Sequence, residues 1–325
     1  SDAVAGRPFD VFVKGQDRWG NPTATPDDVR LQCENALIDG TRITCQTPGT
    51  VRINVISENL QCVSNPIVVH EITPAHRRYW GDLHAQSDAT VGVGTEIEYF
   101  TFARDFARVD FASHQGNDFQ VDDDDWKRLN DTVRLFHENG HFVVFPGFEW
   151  SANSSAGGDR NVFYLEEDLP IIRNSHWQIP HVPENEVTPA HPANVFFERL
   201  KRHVPHNKVI LGSHVGGRWA NVKAYFDPDA NNLVEIVSCW GVFEWILFDA
   251  LDAGHMVGVM CNSDGHKGRP GAEGPGAGEF GVSGGLTCVL ADNLSRASVW
   301  EALQARRCYG TTGARIILEL HADRS

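Results

Sequence analysis

Histidine and acidic residues follow a series of separate hydrophobic runs along this chain of 325 residues. Such runs are typical of buried strands, for example 142–145 before Glu149 and 256–260 before Asp264. Because the carboxyl ends of successive parallel strands meet at one face of an α/β barrel, we expect these side chains to converge. The set comprises His84, His114, Glu149, His214, Asp264 and His266.

Imidazole and carboxylate groups in such a set are typical metal ligands. Neutral imidazole and carboxylate oxygen both bind divalent zinc, and imidazole also binds iron. Carboxylates held among neutral imidazoles are well explained when a divalent ion supplies the missing positive charge. We therefore predict a metal site. A hydrogen-bonded polar core is the alternative.

The chain from about residue 76 alternates between strand and helix patterns. Thr95 and Glu98 have the spacing of a capping box, and Ile97 begins an apolar helical stripe. Asp125 is predicted to cap the next helix. Further helix patterns near 193–203, 243–253 and 296–306 alternate with strand patterns, the last at 315–320. This alternation favours an α/β class and a mostly parallel barrel over 76–325.

Residues 1–72 have a different pattern. Short strand candidates at 9–14, 42–45, 51–55 and 66–69 are separated by turn signals. This spacing predicts a small β-sandwich of immunoglobulin-like type. The segment carries no cluster of chemically active residues, so we interpret it as an accessory packing module.

Two glycine-rich or polar segments are predicted to be loops. The segment 150–192 is rich in Ser, Gly, Asn, Pro and His and is interpreted as a lid or substrate loop. The segment 265–285 contains many glycines that allow close approach of backbone to a ligand. A flexible surface loop is the alternative for this second segment.

Composition indicates which kinds of partner and which compartments suit this chain. The net charge of −15 argues against nucleic acid as the main partner, and no apolar run is long enough to cross a bilayer. Seven widely spaced cysteines predict reduced, buried thiols rather than a disulfide framework. We expect a cytoplasmic location, or a periplasmic or secreted one if a leader has been removed. The oligomeric state stays open.

The clusters together resemble the successive motifs of the PHP (polymerase and histidinol phosphatase) superfamily. The motifs are Gly81-Asp82-Leu83-His84, the His114 cluster, Glu149, His214 and Asp264-Gly265-His266. A PHP-related branch of unknown function is similar in further features, including Phe148-Glu149-Trp150, Arg160-Asn161-Val162 and the ending Tyr309-Gly310-Thr311-Thr312-Gly313-Ala314-Arg315. The resemblance covers about 76–320. It implies a distorted (β/α)7 TIM-like barrel, a cluster of zinc, manganese or iron ions, and phosphoester hydrolysis.

The chain also departs from this pattern. Gln86 stands where the family usually has a second histidine, and Asp159 replaces a histidine before Arg-Asn-Val. Gly92 and Ser113 stand where acids are usual. Because amide oxygen is a poorer zinc ligand than imidazole, Gln86 weakens one metal position. We therefore expect one to three ions, with Asp88 or Asp159 as compensating ligands.

The leading hypothesis is hydrolysis by a metal-activated water. The predicted ligands are His84, Gln86, His114, Glu149, His214, Asp264 and His266. Glu149 is expected to bridge ions, and Asp264 or Asp118 to accept the proton of the water. The side chains expected to bind a small anionic substrate are Arg160, Asn161, Arg218, Lys267 and Arg269. Surface solvation or loop ion pairing is the alternative role for the basic ones.

Three other functions remain open at this point. The same activated water would cleave a carbon–nitrogen or carboxylic ester bond. A metal-free glycosidase would use paired acids such as Glu149 and Glu235. A barrel that binds metal or ligand without turnover would also account for the altered ligands.

Overall fold

The computed structural model describes residues 1–182, 188–274 and 282–320, and these divide into two compact units. One unit contains Ser1–Arg78 together with the segment that begins at Ala314, and the other contains Tyr79–Gly313. The strand predicted at 315–320 is not formed. The alternating apolar residues of this segment, Ile316, Leu318 and Leu320, are exposed. Alternation of apolar and polar residues stabilises a strand only where a neighbouring strand and a core bury the apolar face.

The first unit consists of short strands in its described residues. They are β1 (Asp2–Val4), β2 (Phe9–Asp10), β3 (Gly15–Gln16), β4 (Pro22–Thr23), β5 (Arg30–Gln32), β6 (Ala36–Asp39), β7 (Arg42–Cys45), β8 (Gly49–Val51), β9 (Asn54–Ile56), β10 (Gln61–Val63) and β11 (Ile67–His70). They form three-stranded sheets in the orders β1-β11-β8, β10-β9-β5 and β2-β7-β6, and a β3-β4 pair. Ile43, Cys45, Ile53 and Val69 form the buried centre. The β character of this segment follows its sequence pattern.

Two larger sheets form the second unit. The strands are β12 (Arg77–Asp82), β13 (Phe111–Ser113), β14 (Val143–Phe145), β15 (Gly147–Trp150), β16 (Arg160–Tyr164), β17 (Val209–Ser213), β18 (Asn231–Ser238), β19 (Gly241–Val242), β20 (Gly258–Cys261), β21 (Leu286–Ala291) and β22 (Cys308–Thr311). One sheet has the order β14-β13-β12-β21-β22, and the other has β15-β16-β17-β18-β19 with β20 also paired to β18. Parallel pairs join β12 to β13, β13 to β14, β17 to β18 and β18 to β20.

Residues of both large sheets meet in one hydrophobic cluster. Phe111 and Phe145 from the first sheet pack in the same buried cluster as Phe163, Ile210 and Leu233 from the second. The mixed α/β class is therefore confirmed. Over the described ranges, strand pairing does not join the two sheets into a closed barrel.

Five α-helices pack on these sheets within the described residues. They are α1 (Glu96–Thr101), α2 (Asp123–Phe136), α3 (Ala193–His203), α4 (Glu244–Asp252) and α5 (Arg296–Gln304), and a π-helix spans Phe102–Ala107. The capping box of Thr95 and Glu98 is confirmed, but Ile97 is exposed while Tyr99 is buried. Asp122, not Asp125, caps α2, because its carboxylate accepts a hydrogen bond from the Asp125 backbone N–H.

The predicted loop 150–192 contains a central strand. β16 pairs with both β15 and β17 in antiparallel fashion, and each of its five residues is buried. Its sequence Arg-Asn-Val-Phe-Tyr begins with two polar residues, which hid the strand from hydrophobic patterning. The antiparallel direction of β16 also brings its first residues beside the last residues of β15 and β17.

The lengths and the hydropathy of the helices bear on whether one of them could cross a membrane. Every helix in the described part of the chain falls short of the length and apolar character that a bilayer span requires.

Candidate metal centre

Residues from five different strands or strand ends form one buried acid–imidazole group. His84 follows β12, His214 follows β17 and Asp264 follows β20, while Glu149 lies in β15 and Glu235 in β18. All five side chains are buried. We call His84, His214, Glu235 and Asp264 the imidazole corner. Glu149 borders it.

His84 lies at the centre of this corner. Its Nδ1 is 3.1 Å from Glu235 Oε1, and its Nε2 is 3.2 Å from Asp264 Oδ1 and 3.6 Å from Glu149 Oε2. The His214 ring meets the His84 ring edge-on, with 4.4 Å between centroids. His214 Nε2 lies 3.9 Å from Glu149 Oε1, and its Nδ1 lies 4.0 Å from Asp264 Oδ2.

Several ligand atoms of this corner lack a hydrogen bond. His84 Nε2 and both ring nitrogens of His214 are buried and make none with the described residues. One ligand atom from each corner residue lies within 4.8 Å of the others. Since an unpaired buried nitrogen is costly and imidazole and carboxylate both ligate divalent metals, the donor set fits such an ion.

Without an ion, the buried acids and imidazoles of the corner shift one another's pKa values. Burial alone would lower the pKa of His84, but the Asp264 and Glu235 carboxylates raise it well above its usual range. Burial would raise the pKa of Glu149, but His84, His214 and Arg218 lower it to about 2. Burial and the neighbouring His84 charge lower the pKa of His214. The carboxylates of this corner therefore favour a positive charge beside them.

Asp264 has a backbone conformation that residues other than glycine rarely adopt. Its φ of 47° lies in the left-handed region. Its N–H donates to the His84 carbonyl at 2.6 Å, and the Cys239 thiol donates to its carbonyl at 3.2 Å. Such locally strained residues cluster at functional sites because surrounding contacts impose them.

Glu235 is a site residue that sequence patterning assigned only to the glycosidase alternative. It accepts from His84 Nδ1 and from Asn262 Nδ2, the latter at 2.6 Å. The Asn262 Oδ1 in turn accepts from the Leu83 N–H and the Thr287 hydroxyl. This arrangement fixes the His84 ring and leaves Nε2 as the nitrogen that faces Asp264 and Glu149. The available signal was an acid inside the apolar run 233–237.

A second group, the amide corner, lies on the other side of Glu149 and consists of Gln86, Asn117, Asp118 and Ser151. Gln86 Nε2 donates to Glu149 Oε2 at 3.2 Å, while its Oε1 accepts from Thr90 and Asn117. The oxygen through which Gln86 would bind a metal therefore already accepts two hydrogen bonds. For this reason we do not include Gln86 among the proposed ligands. It positions Glu149 instead.

Asp118 is held by hydrogen bonds within this corner. Its carboxylate accepts from the Ser151 N–H and from both the backbone N–H and the side-chain amide of Asn174. Burial raises the pKa of Asp118 to about 7 despite these donors. Both oxygens of Asp118 thus anchor the segment around Asn174, and its role as a proton acceptor stays a prediction.

His114 lies apart from the acid–imidazole groups. Its Nε2 accepts from the Ser87 N–H at 3.0 Å and contacts the Ser87 hydroxyl at 2.9 Å. Its ring packs edge-on against Tyr99. Burial lowers the pKa of His114 to about 4, so the ring is neutral and Nε2 is used as an acceptor. Its Nδ1 is buried and makes no hydrogen bond with the described residues, but His114 belongs to neither acid–imidazole group, so we do not include it among the proposed ligands.

Arg160 and Asn161 are buried residues of β16. The Arg160 guanidinium donates to the backbone carbonyls of Gly157, Gly158 and Tyr225, which argues against its predicted contact with substrate. Asn161 pairs in register with Glu149 and therefore lies on the same face of the sheet. Neither amide atom of Asn161 has a hydrogen bond in the described structure.

Asp159 and Arg218 border Glu149 on its remaining side. Asp159 forms a second acid–imidazole group with Glu149 and His214. Arg218 Nε lies 2.9 Å from Asp159 Oδ1, and its Nη2 lies 3.7 Å from Glu149 Oε1. The predicted substrate-binding position of Arg218 is therefore beside the centre.

Three further predicted residues follow Asp264 in the chain. His266 Nε2 is 3.7 Å from Asp264 Oδ1, and its ring meets Trp240 edge-on, so it lies at the rim of the imidazole corner. Lys267 is exposed and Arg269 is half-buried. Their contact with an anionic substrate stays a prediction.

Comparisons with known proteins identify relatives of unknown activity. A family model described as a protein of unknown function, DUF3604, matches residues 255–325. An uncharacterized protein of Chlamydia pneumoniae is 25% identical over 365 residues, covering 99% of this chain and 56% of its own length. One from Chlamydia trachomatis is 23% identical, covering 98% of this chain and 56% of its own length. The chain thus spans about half the length of these curated relatives.

One solved structure is also similar. It is a two-domain protein from Bacteroides vulgatus that contains a predicted PHP-like metal-dependent phosphoesterase. The sequence identity is 13% and the TM-score is 0.49, with 73% of this chain and 65% of the other covered.

Proposed function

We propose that this chain is a metal-dependent hydrolase that cleaves a phosphoester of a small anionic substrate. The observation that carries the proposal is the imidazole corner, where buried ring nitrogens without hydrogen bonds face buried carboxylates. Leaving such groups unpaired is costly, and a divalent cation would satisfy both kinds of group together. The PHP resemblance supports the choice of a phosphoester and of a distorted (β/α)7 barrel with an immunoglobulin-like accessory module.

In this proposal His84, His214, Glu149 and Asp264 hold the ion. His84 would ligate through Nε2, since Nδ1 faces Glu235. His266 contributes from the rim, where Nε2 approaches Asp264. Imidazole and carboxylate donors are compatible with zinc, manganese or iron.

The proposed chemistry needs a divalent ion from solution, together with carboxylates and a guanidinium of the chain. A bound divalent ion acidifies water and stabilises negative charge on the substrate. Asp264 and Glu149 are placed to accept the proton of that water, because both carboxylates border the same buried space. Arg218 would bind the anionic group, because its guanidinium reaches the edge of Glu149 while its side chain is 33% exposed.

The test combines metal removal with a substrate panel. The chelated protein would be reconstituted with Zn²⁺, Mn²⁺ or Fe²⁺ and assayed on phosphomonoester, phosphodiester, carboxylester and amide substrates. We expect turnover of a phosphoester that disappears on chelation and in Asp264→Asn, but persists in Asp131→Asn, which alters an exposed acid of α2.

Other outcomes would overturn parts of the proposal. Metal-dependent turnover confined to the amide or carboxylester would replace the substrate class. Turnover of any of these substrates that survives complete chelation would contradict the metal mechanism. Bound metal without turnover on any substrate would favour a binding barrel.

A further inference from the structure

Glu149, Asp159 and His214 form a group with the donor types of a second metal site. One ligand atom from each lies within 4.8 Å of the others, and all three residues are buried. Glu149 and His214 are both shared with the ligands proposed for the first ion, so Asp159 is the additional donor of this group. By donor chemistry alone, this group would take a second divalent cation.

A cation of the chain is already present at this group. Arg218 Nε is 2.9 Å from Asp159 Oδ1, and Nη2 is 3.7 Å from Glu149 Oε1. A guanidinium is permanently charged at any physiological pH. Arg218 thus lies against both carboxylates on which a second ion would depend.

The backbone holds Arg218 in this place. The Asp159 N–H donates to the Arg218 carbonyl at 3.1 Å, and the Arg218 N–H donates back to Asp159 Oδ2 at 3.1 Å. At Gly158 the φ is 75°, and an added Cβ would lie 1.9 Å from the Trp219 carbonyl oxygen, so only glycine permits this close approach. The Arg218 guanidinium also lies over the Phe119 ring, 5.7 Å from its centroid. The position is therefore built into the fold.

We infer that Arg218 replaces a second metal ion in this centre. The inference rests on the proposed function. The chain then binds one divalent ion, in the imidazole corner, while the guanidinium supplies the second positive charge beside Glu149. A second ion would have to separate Asp159 from Arg218 and then lie close to a fixed like charge, which Coulomb repulsion in a buried site opposes. The fork of N–H donors suits a phosphoryl group, which a second ion would otherwise bind.

The number of bound ions tests this inference without an activity assay. Chelator-stripped protein would be dialysed against Mn²⁺ at increasing concentration, and bound manganese measured per chain by elemental analysis. We expect one ion in the wild type. We expect a second, weaker one in Arg218→Ala, which frees Asp159 and Glu149. Adding Asp159→Asn to that variant should return the number to one.

Controls separate this inference from the proposed function. Arg218→Lys keeps the charge and Arg134→Ala removes an exposed arginine of α2, so both should bind one ion. Circular dichroism would verify that each variant is folded. Two ions in the wild type, a single ion in folded Arg218→Ala, or a second ion that persists in the double variant would each overturn the inference alone. No bound ion in the wild type would overturn the proposed function and the inference with it.

Discussion

The imidazole corner and the amide corner flank the same carboxylate, Glu149, but differ in whether their polar atoms are already paired. In the amide corner, Gln86 uses both amide atoms and Asp118 both oxygens in hydrogen bonds to the protein. In the imidazole corner, His84 Nε2 and both nitrogens of His214 have none. Buried imidazole nitrogens without a hydrogen bond, gathered beside buried carboxylates, are what we expect where an outside ligand completes a site.

The sharpest test of this difference compares matched acid-to-amide variants. Asp264→Asn removes a proposed ligand and should weaken metal binding on the order of 100-fold or more, since even outer partners cost roughly 10–100-fold. Asp118→Asn should leave metal affinity nearly unchanged. It should lower the free energy of unfolding by about 1–3 kcal/mol, because an amide N–H would face the donors of Asn174 and Ser151. Calorimetric metal titration and urea unfolding measure both. Equal metal affinities in the two variants would contradict the comparison.

The second prediction concerns the residue that orients His84. Glu235→Ala should lower metal affinity roughly 10–100-fold, because His84 loses the acceptor that fixes its ring. Glu235→Gln retains an acceptor for Nδ1 and should lose much less. Metal titration with Zn²⁺ checks both variants. If Glu235→Gln loses as much as Glu235→Ala, the negative charge rather than the orientation of His84 is what matters.

Metal affinity should also rise with pH, by about tenfold per unit while His84 holds its proton. The pKa of His84 is raised in the ion-free fold, so its proton stabilises that fold. The stabilisation is complete below the unfolded-state pKa of about 6.5 and is lost as pH rises through the higher folded-state value. An incoming ion must displace this proton. Titrations at several pH values measure the slope, and a flat profile would exclude His84 as a ligand.

The smallest effect on metal binding is expected in the amide corner. Gln86→Met preserves the length of the side chain but removes its hydrogen bonds to Glu149, Thr90 and Asn117. Unfolding free energy should fall by about 1–3 kcal/mol, since Glu149 and Asn117 stay buried without this partner. Metal affinity should change less than about tenfold, because the Ser151 hydroxyl still donates to Glu149 Oε1 and holds that carboxylate in place. A loss as large as that of Asp264→Asn would return Gln86 to the ligand set.

Sequence patterning found the residues that end or follow regular buried strands. His84, His214 and Asp264 come after hydrophobic runs, and the periodicity that predicts a strand also predicts which end carries the polar residue. The α/β alternation of the second unit follows from the same signal. These features are local, so a single sequence contains them.

The remaining features depend on contacts between distant segments. Glu235 lies inside an apolar run, and its role appears only when β18 places it beside His84. Asp159 precedes β16, and the two polar residues that begin this strand hide it from hydrophobic patterning. His114 occupies a position equivalent to that of His84, yet its Nε2 accepts from Ser87 and it lies in neither acid–imidazole group. Spacing predicts that an imidazole is available but cannot show which neighbour binds it.

Anomalous diffraction from crystals soaked in Zn²⁺ and measured at the zinc edge tests the central claim most directly. The account predicts one strong peak within bonding distance of His84 Nε2 and Asp264, bordered by Glu149 and His214. Zinc found only elsewhere, for example at His114, or crystals without a zinc peak in the imidazole corner, would contradict it.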